Sequence, residues 1–358
     1  MNFTVGIVGM PSHNSYGGIS RVITNLAAEW EKAGTRLVPL KVHKGTIPVI
    51  RNLRYSVGPV NGVDVVLFPQ LTGALALRHL TKPSIVIVHD IGIIDCELDR
   101  RDINWLTYRI ILKNLWSLRL SSAIVTDSQF TATRLLKYMP DLESKVSVIT
   151  PGLALPLLDS AFGSDTRDLT NNPKILYVGT EISRKNIREL LVMLYHLKRF
   201  YPSVVLSKVG HAGSSQARAN TLSLMKEFEL IPNQDVIFYD MVDDTQLIHL
   251  YKQSDVFVSL SLYEGFGFPA LEAMSQHCPV VLSKRGSFPE YFGQYAWVVE
   301  PNGKAAAAVV RNILSTPTLK IQPILDRARI AATKFSWNRA ASEYSTLMQR
   351  VVNVHANS

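Results

Sequence analysis

The chain has 358 residues, 47% of them hydrophobic and 19% charged, with a formal net charge of +9 at pH 7. These values exclude a disordered or fibrous protein and indicate two domains of ordinary size, each with its own core. The positive charge suits diphosphate ligands or anionic lipid headgroups. Nucleic acid is a weaker candidate, because the chain has no Cys/His finger, RNP-like aromatic run or dense Lys/Arg block. An ordinary basic surface that keeps the protein in solution is the alternative.

Only two cysteines occur, Cys96 and Cys278, and their spacing is not that of metal ligands. This usage is typical of the reducing cytoplasm. The first residues lack a basic segment followed by a long apolar stretch, and no window of about 18 apolar residues occurs, so we expect neither an export signal nor a membrane span. We therefore expect a cytoplasmic protein, with peripheral binding to the inner face of the membrane left open.

Strand-like and helix-like segments alternate through residues 1–160. Short apolar runs predict strands at 5–9, 36–42, 63–68, 84–89 and 123–127, and the first helical pattern spans 19–33. This alternation is typical of a doubly wound parallel sheet. The following region is rich in Pro, Gly, Ser, Asp and Asn, and we place a linker at 161–173.

A second set of α/β segments fills residues 174–334. Strands are predicted at 174–179, 203–209, 236–239, 256–260 and 280–282, and helices at 186–199, 217–229 and 244–253. The fold class expected is thus α/β, with two Rossmann-like parallel-sheet domains facing each other across a cleft. Ser336 is a candidate N-cap for a closing helix within 335–358.

Two glutamates eight residues apart, Glu264 and Glu272, follow the apolar strand at 256–260. The residues between them predict a glycine turn at 265–269 and then a helix that Pro269 can open, with Glu272 in its first turn. Free backbone N–H groups at such a junction suit an anionic or hydroxyl-rich ligand. Alternatively, Glu272 only favours the helix dipole and Glu264 is a turn residue.

The segment Tyr263-Glu-Gly-Phe-Gly-Phe-Pro-Ala-Leu-Glu-Ala-Met274, followed by Pro279-Val-Val-Leu-Ser283 and Ser287-Phe-Pro-Glu290, closely resembles the signature of retaining GT-B glycosyltransferases. That family contains many α-mannosyl- and α-glucosyltransferases, with sucrose synthase among its relatives. Further family-like stretches occur in the expected order along nearly the whole chain. The resemblance implies that Glu264 faces the donor sugar and that Glu272 holds the ribose hydroxyls. It also places the turn Gly265, Phe266 and Gly267 beside the donor.

Two cations, Arg184 and Lys185, lie between a predicted strand and the helix at 186–199, where they suit a diphosphate. A solvated pair on a loop is the alternative. Similar enzymes carry Lys-Asn or Arg-Lys-Asn here and use the basic residues to hold the donor phosphates. Many members have arginine directly after the glycine, where this chain has Thr180, which leaves the share of Arg184 open.

His89 follows an apolar strand, at the edge where open α/β sheets bind ligands, although packing alone also explains such a histidine. Similar enzymes have a Val-His-Asp motif whose histidine lies at the donor sugar and acceptor face. The resemblance therefore implies that His89 binds the sugar and acts in the transition state. Gly17 and Gly18 would let the backbone approach a phosphate or sugar closely, and two ordinary turn glycines are the alternative. The family's Gly-Gly loop lies against donor and acceptor, and Gly210–Gly213 is a weaker glycine loop expected near the nucleotide.

No D-x-D pair occurs, so the acidic clamp with which other glycosyltransferases hold a divalent metal is absent, and we expect metal-independent transfer without a cofactor. Asp240, Asp243 and Asp244 could hold an ion, but a solvated turn and N-cap is the preferred interpretation. Charge on the diphosphate would be neutralised by Arg184, Lys185 and helix ends.

A helical projection of residues 100–120 groups basic residues with tryptophans on one half. Ile103, Leu106, Ile110 and Leu118 share the other half. The pattern suits an anionic membrane surface, whereas a cationic outer face on a core-packed helix is the alternative. The first half contains Arg101, Trp105, Arg109, Lys113, Trp116 and Arg119.

The function expected is transfer of a hexose, with mannose favoured, from a GDP- or UDP-linked donor to an acceptor hydroxyl in glycan, polysaccharide or glycolipid synthesis. A sugar-nucleotide epimerase or hydrolase on the same fold and a non-catalytic nucleotide-sugar-binding protein are the alternatives. A nicotinamide dehydrogenase is disfavoured because the G-x-G-x-x-G fingerprint is missing.

Overall fold

The structure is a computed structural model that describes residues 3–9, 18–44, 55–101, 103–156 and 172–357. It divides into two compact units, residues 1–154 with 335–358 (the first unit) and residues 155–334 (the second unit). Gly17 and most of the expected linker lie outside the described residues, as does the side chain of Arg101.

The strands carry most of the short apolar runs of the sequence. In chain order they are β1 (Thr4–Val8), β2 (Arg36–Leu40), β3 (Val42–Lys44), β4 (Tyr55–Val57), β5 (Val65–Phe68), β6 (Ser84–Val88), β7 (Ala123–Thr126), β8 (Val146–Val148), β9 (Lys174–Val178), β10 (Val205–Val209), β11 (Val236–Tyr239), β12 (Val256–Ser259), β13 (Val280–Ser283) and β14 (Trp297–Val299).

The helices alternate with these strands. They are α1 (Gly18–Lys32), α2 (Gly92–Asp95), α3 (Glu97–Arg101), α4 (Trp105–Ser117), α5 (Gln129–Tyr138), α6 (Ile187–Lys198), α7 (Ser215–Glu227), α8 (Asp244–Gln253), α9 (Phe268–Ser275), α10 (Phe288–Phe292), α11 (Gly303–Ser315), α12 (Thr318–Ala332) and α13 (Trp337–Ala356). Short 3-10 helices lie at Leu71–His79, Leu118–Leu120, Pro140–Lys145 and Ser183–Lys185.

Each unit contains a six-stranded sheet whose pairings are all parallel, which confirms the predicted α/β class. The strand orders are β2-β1-β5-β6-β7-β8 and β11-β10-β9-β12-β13-β14. In each sheet the direction of the strand order reverses beside the first strand of the unit, between β1 and β5 in the first sheet and between β9 and β12 in the second. Open sheets bind ligands outside the carboxyl ends of the strands at such a reversal. In the second unit that point lies between β9 and β12.

The buried residues explain why these segments pack as they do. Strands β5, β6, β7, β12 and β13 are buried along their whole length, as expected for parallel strands covered on both faces. Helices such as α1 bury one apolar stripe and expose the other side. Each sheet has its own hydrophobic core, so both units meet the condition for an independent fold.

The closing helix α13 belongs to the first unit. Ser336 caps it by accepting a hydrogen bond from the backbone N–H of Arg339 at 3.4 Å, as predicted. The helix packs on α1, where the indole of Trp30 donates to the carbonyl of Ala341 at 3.1 Å and meets the ring of Tyr344 edge-on.

Several predicted boundaries were wrong. Residues 100–120 do not form one helix, because α3 ends at Arg101 and Asn104 caps the new helix α4 by accepting from Thr107 N. The strand predicted at 36–42 ends at Leu40, and a hairpin of β3 and β4 follows. Strands β8 and β14 were not predicted, since their three residues are too few to show a period.

Gly303 provides a test of the packing of α11 on α6. A Cβ at this position would lie 2.7 Å from the backbone N of Met193, so α6 itself would have to move. A Gly-to-Ala change in a helix normally stabilises by roughly 0.5–1 kcal/mol. Here we expect Gly303→Ala to destabilise by about 1–3 kcal/mol, measured by urea unfolding of the second unit.

The control is Lys304→Ala, which changes the exposed neighbour of Gly303 and should stay within about 0.5 kcal/mol of wild type. A Gly303→Ala variant as stable as that control would contradict the close packing of the two helices.

Candidate functional site

The candidate site of the second unit lies at the carboxyl ends of β9 and β12, where the strand order reverses. The loop after β9 carries Arg184 and Lys185, and the loop after β12 carries Glu264. Because β9 and β12 are neighbours, residues 79 positions apart in the chain meet at one edge of the sheet. This is the position where an open α/β sheet binds its ligand.

The loop after β9 is held by hydrogen bonds to its neighbours. Asn186 adopts a left-handed conformation with φ of 59°, which the Asn side chain tolerates better than most. Its amide donates to the carbonyls of Leu260 at 3.0 Å and Pro301 at 3.2 Å. The N–H of Leu262 donates to the carbonyl of Arg184 at 2.8 Å. Arg184 and Lys185 are therefore fixed relative to the strand that leads to Glu264.

Glu264 is a half-buried carboxylate facing two cations. The ammonium of Lys185 lies 2.5 Å from Glu264 Oε1, and Nη1 of Arg184 lies 3.9 Å from Oε2. The same Nη1 donates to the carbonyl of Tyr263 at 2.8 Å. All three charged side chains are between 13% and 15% exposed, so the group is largely shielded from solvent.

Burial would raise the pKa of Glu264, but the charges of Lys185 and Arg184 outweigh it, and the pKa lies below its ordinary value of 4.5. The carboxylate is therefore ionised at neutral pH. Since the pKa is lowered by folding, this carboxylate stabilises the folded state above pH 4.5, and that contribution is lost as the pH falls through the lowered pKa.

The turn of Gly265, Phe266 and Gly267 joins β12 to α9, and its shape depends on glycine. Gly267 has φ of 103°, and a Cβ there would lie 2.7 Å from the ring of Phe288. Phe266 packs among aromatic rings, with the centroid of Phe268 5.2 Å away. Gly286, which the sequence did not single out, also has positive φ, and a Cβ there would lie 2.6 Å from the backbone N of Glu264.

Glu272 lies on α9, which begins at Phe268, so it occupies the second turn and not the predicted first turn. The residue is only 2% exposed, and its Oε2 accepts a hydrogen bond from the hydroxyl of Tyr251 at 2.9 Å. A carboxylate with this burial is oriented by its partner, which makes Glu272 more than a helix-dipole residue on the surface.

An ion network beneath the loop after β9 was missed by the sequence analysis. Glu181 accepts from Lys208, with Nζ 2.9 Å from Oε1, and from Arg218, whose Nε lies 3.0 Å from Oε1. Lys208 also donates to the carbonyl of His211 at 3.3 Å. The network ties the loop carrying Arg184 to the glycine loop after β10. A lysine inside an otherwise apolar strand was the available signal, because such a residue needs a buried partner.

Two of the acidic residues after β11 have hydrogen-bond partners within the protein. Asp240 accepts from Nη2 of Arg218 at 2.7 Å. Asp243 caps α8 by accepting from Gln246 N at 2.8 Å in a capping box. The predicted N-cap is thus confirmed at Asp243.

In the first unit, His89 is the residue directly after β6. Its Nδ1 lies 2.6 Å from Oδ2 of Asp127, and its Nε2 lies 2.9 Å from the carbonyl of Pro69. Burial lowers the pKa of His89, but the negative charge and hydrogen bond of Asp127 more than offset this, so the pKa is raised above 6.5.

Of the predicted glycine pair, Gly18 begins α1 and is exposed, whereas Gly17 lies outside the described residues.

The exposed face of α4 combines cations with aromatic rings. Positions 105, 109, 113 and 116 fall within an arc of about 80° on a helix. Trp105 is 68% exposed and Trp116 59% exposed, so neither packs in the core. Arg109 lies over the ring of Trp105 at 5.0 Å and Arg119 over that of Trp116 at 4.4 Å. Leu106, placed on the other half by the projection, is also exposed.

No helix in the described ranges is long and apolar enough to cross a membrane.

The charges around Glu264 predict the effect of removing one of them. In Lys185→Met the carboxylate keeps its burial but loses its nearest cation, so we expect the pKa of Glu264 to rise. The measurement is a carboxyl-carbon NMR titration of protein labelled at glutamate, assigned with Glu264→Gln. Lys226→Met, on the exposed side of α7, is the matched control and should leave the titration unchanged. An unaltered pKa in Lys185→Met would contradict the ion pair.

Comparison with known proteins gives the family. The sequence matches the family described as "Glycosyl transferases group 1" over residues 165–332. It is 30% identical over 287 residues to O-antigen chain mannosyltransferase B of Escherichia coli, and this match covers 75% of the chain and 70% of that protein.

Two solved structures share the fold over almost the whole chain. Sucrose-phosphate synthase of Thermosynechococcus elongatus has a TM-score of 0.77 at 18% identity, with 100% of both chains covered. HepE of Anabaena, solved in complex with UDP and glucose, has a TM-score of 0.74 at 16% identity, with 98% of this chain and 100% of that chain covered. With its two six-stranded parallel sheets and this family match, the chain belongs to the group 1 glycosyltransferases and has the GT-B fold.

Proposed function

We propose that this glycosyltransferase moves a hexose, with mannose favoured, from a nucleoside diphosphate sugar to a hydroxyl of a glycan, polysaccharide or glycolipid, with retention at the anomeric carbon. The observation that carries the proposal is the group formed by Arg184, Lys185 and Glu264 at the strand-order reversal of the second unit. The preference for mannose rests on the relative named as an O-antigen chain mannosyltransferase. A UDP-linked donor is the alternative to a GDP-linked donor, since HepE was solved with UDP and glucose.

The donor diphosphate would be held by cations of the protein. Arg184 and Lys185 stand directly before α6, so a phosphate there meets two positive side chains and the positive end of the helix dipole. These charges would stabilise the negative charge that develops on the leaving diphosphate. We propose that this neutralisation makes a metal ion and any other cofactor unnecessary.

Glu264 would act on the donor sugar. Its carboxylate is ionised at neutral pH, as the lowered pKa requires, and an anion beside the anomeric carbon stabilises the positive charge that develops there. In the front-face attack we favour, the C–O bond to the leaving phosphate breaks as the acceptor oxygen attacks from the same side. The acceptor proton passes to the leaving phosphate oxygen.

Glu272 would bind the ribose hydroxyls of the nucleotide, as the family resemblance implies. The hydroxyl of Tyr251 donates to one carboxylate oxygen and so fixes the direction of the group. The turn Gly265, Phe266 and Gly267 would offer backbone groups to the donor, because glycine leaves the backbone accessible.

Binding to an anionic membrane surface from the cytoplasmic side is the second part of the proposal. It rests on the exposed face of α4, where Trp105 and Trp116 flank Arg109 and Lys113. Tryptophan prefers the interface of a bilayer, and each basic residue near an anionic surface contributes about 1 kcal/mol. Such a position would bring the enzyme to a lipid-linked acceptor.

Nucleotide binding and turnover test the donor site. We expect calorimetry with GDP, UDP, ADP and dTDP, in the presence of EDTA, to show selective binding of one nucleotide. Lys185→Met should weaken that binding about 10- to 100-fold because a charge-assisted contact is lost, and Lys226→Met should not. Glu264→Gln should keep nucleotide binding while turnover falls by about 100-fold or more.

Donor consumption must also depend on an acceptor. Consumption at the same rate without acceptor would contradict transfer and favour an epimerase or hydrolase. Full biological activity of Glu264→Gln would favour a non-catalytic binding protein.

Vesicle sedimentation tests the membrane face. We expect wild type to bind vesicles that contain anionic lipid and not neutral ones, and the double variant Arg109→Glu with Lys113→Glu to lose about tenfold or more in affinity. Trp105→Ala with Trp116→Ala should also weaken binding. Lys320→Glu, an exposed charge reversal on α12, is the control. Equal binding of all variants would contradict a role of α4.

A further inference from the structure

Three neighbouring strands of the first unit are each followed by a residue that takes part in one hydrogen-bonded group. Pro69 follows β5, His89 follows β6 and Asp127 follows β7, and each is the first residue after its strand. The strands are adjacent in the sheet, so the three residues meet at its carboxyl edge. The imidazole of His89 bridges the other two, at 2.6 Å to Asp127 Oδ2 and 2.9 Å to the carbonyl of Pro69.

Both partners of the ring are hydrogen-bond acceptors. A backbone carbonyl has no proton to donate, and an ionised carboxylate has none either. When Asp127 is ionised, the ring satisfies both acceptors only with a proton on Nδ1 and another on Nε2. The two contacts then fit an imidazolium, whereas a neutral histidine would leave one nitrogen lone pair facing a lone pair of its partner.

Burial makes the partner of this cation necessary. The side chain of His89 is 15% exposed and that of Asp127 only 4%. A buried cation without a counter-charge would lose its proton. Asp127 supplies that charge, and Asp90 beside the ring adds to it. Tyr344 of α13 experiences the charge of Asp127, but burial raises the pKa of Tyr344 well above its usual value and keeps it neutral.

Building on the glycosyl transfer proposed above, we propose that Asp127 is a positioning residue that holds His89 as a fixed imidazolium. In this state the ring has no lone pair with which to accept the proton of the acceptor hydroxyl. His89 contributes charge and shape at the carboxyl edge of the sheet, and it does not act as a base at neutral pH. Glycosyl transfer then depends on Asp127 although that carboxylate need not touch either substrate.

Nitrogen NMR of the imidazole rings tests the charge state directly. The full-length protein is labelled at histidine with nitrogen-15, and the signals of His89 are assigned with His89→Gln. In wild type we expect both ring nitrogens to be protonated at pH 7.5. In Asp127→Asn the pKa of His89 should fall, so that the ring is neutral at the same pH. Asp64→Asn, an exposed carboxylate before β5, is the matched control and should resemble wild type.

Kinetics separate positioning from a purely structural role. We expect Asp127→Asn to lower kcat about 10- to 100-fold with a smaller change in KM for the donor. Its activity should rise as the pH is lowered, because acid restores the imidazolium, whereas a simple loss of packing would show no such recovery. Asp127→Glu keeps the charge and should restore most of kcat. Circular dichroism confirms that each variant is folded.

The proposal is overturned if His89 in wild type shows one unprotonated ring nitrogen at pH 7.5, or if Asp127→Asn matches wild type in kcat at every pH. The NMR measurement needs no donor, so its result is distinct from a failure of the proposed glycosyl transfer, which would appear as absence of turnover with all donors tested.

Discussion

The half-buried ion pair between Lys185 and Glu264 is the interaction on which the candidate site depends. A carboxylate in this half-buried position would take up a proton more readily than one in water, and the neighbouring cations reverse that tendency. Breaking such a pair leaves an unpaired buried charge, which is costly. The pair therefore keeps Glu264 anionic and holds the two loops together before any ligand arrives. The same cations suit a diphosphate, so the interaction that joins the two loops would also favour binding of the proposed donor.

The order of the strands in the sheet brings Arg184, Lys185 and Glu264 together. The strand order reverses between β9 and β12, and the loops that follow these two strands meet at the carboxyl edge of the sheet, where Arg184 and Lys185 face Glu264. The first unit, with the strand order β2-β1-β5-β6-β7-β8, also gathers polar groups at the carboxyl edge of its sheet, where His89 is joined to Asp127. In both units these polar residues therefore lie beyond the carboxyl ends of parallel strands.

The sequence predicted much of this arrangement because the relevant residues lie in segments that follow apolar strands. His89 was identified from its place at a strand end, Lys185 from the cation pair before a predicted helix, and Glu264 from the segment that resembles a family signature. The partner of His89 was not identified, since Asp127 lies 38 residues from His89 and nothing local indicates the pairing. The ion network around Lys208 was also missed, although a lysine inside a predicted strand is a local sign that a buried partner exists. The cap at Asn104, which divides the helix predicted at 100–120, is a local signal that the hydrophobic pattern outweighed.

The titration of Glu264 in the presence of a bound nucleoside diphosphate tests the central claim most directly. If the diphosphate binds at Arg184 and Lys185, it brings negative charge next to Glu264 and draws hydrogen bonds from Lys185. The pKa of Glu264 should then rise relative to the free protein. A nucleotide that binds tightly and leaves the pKa of Glu264 unchanged would show that its phosphates lie elsewhere, and the proposed donor site would be wrong.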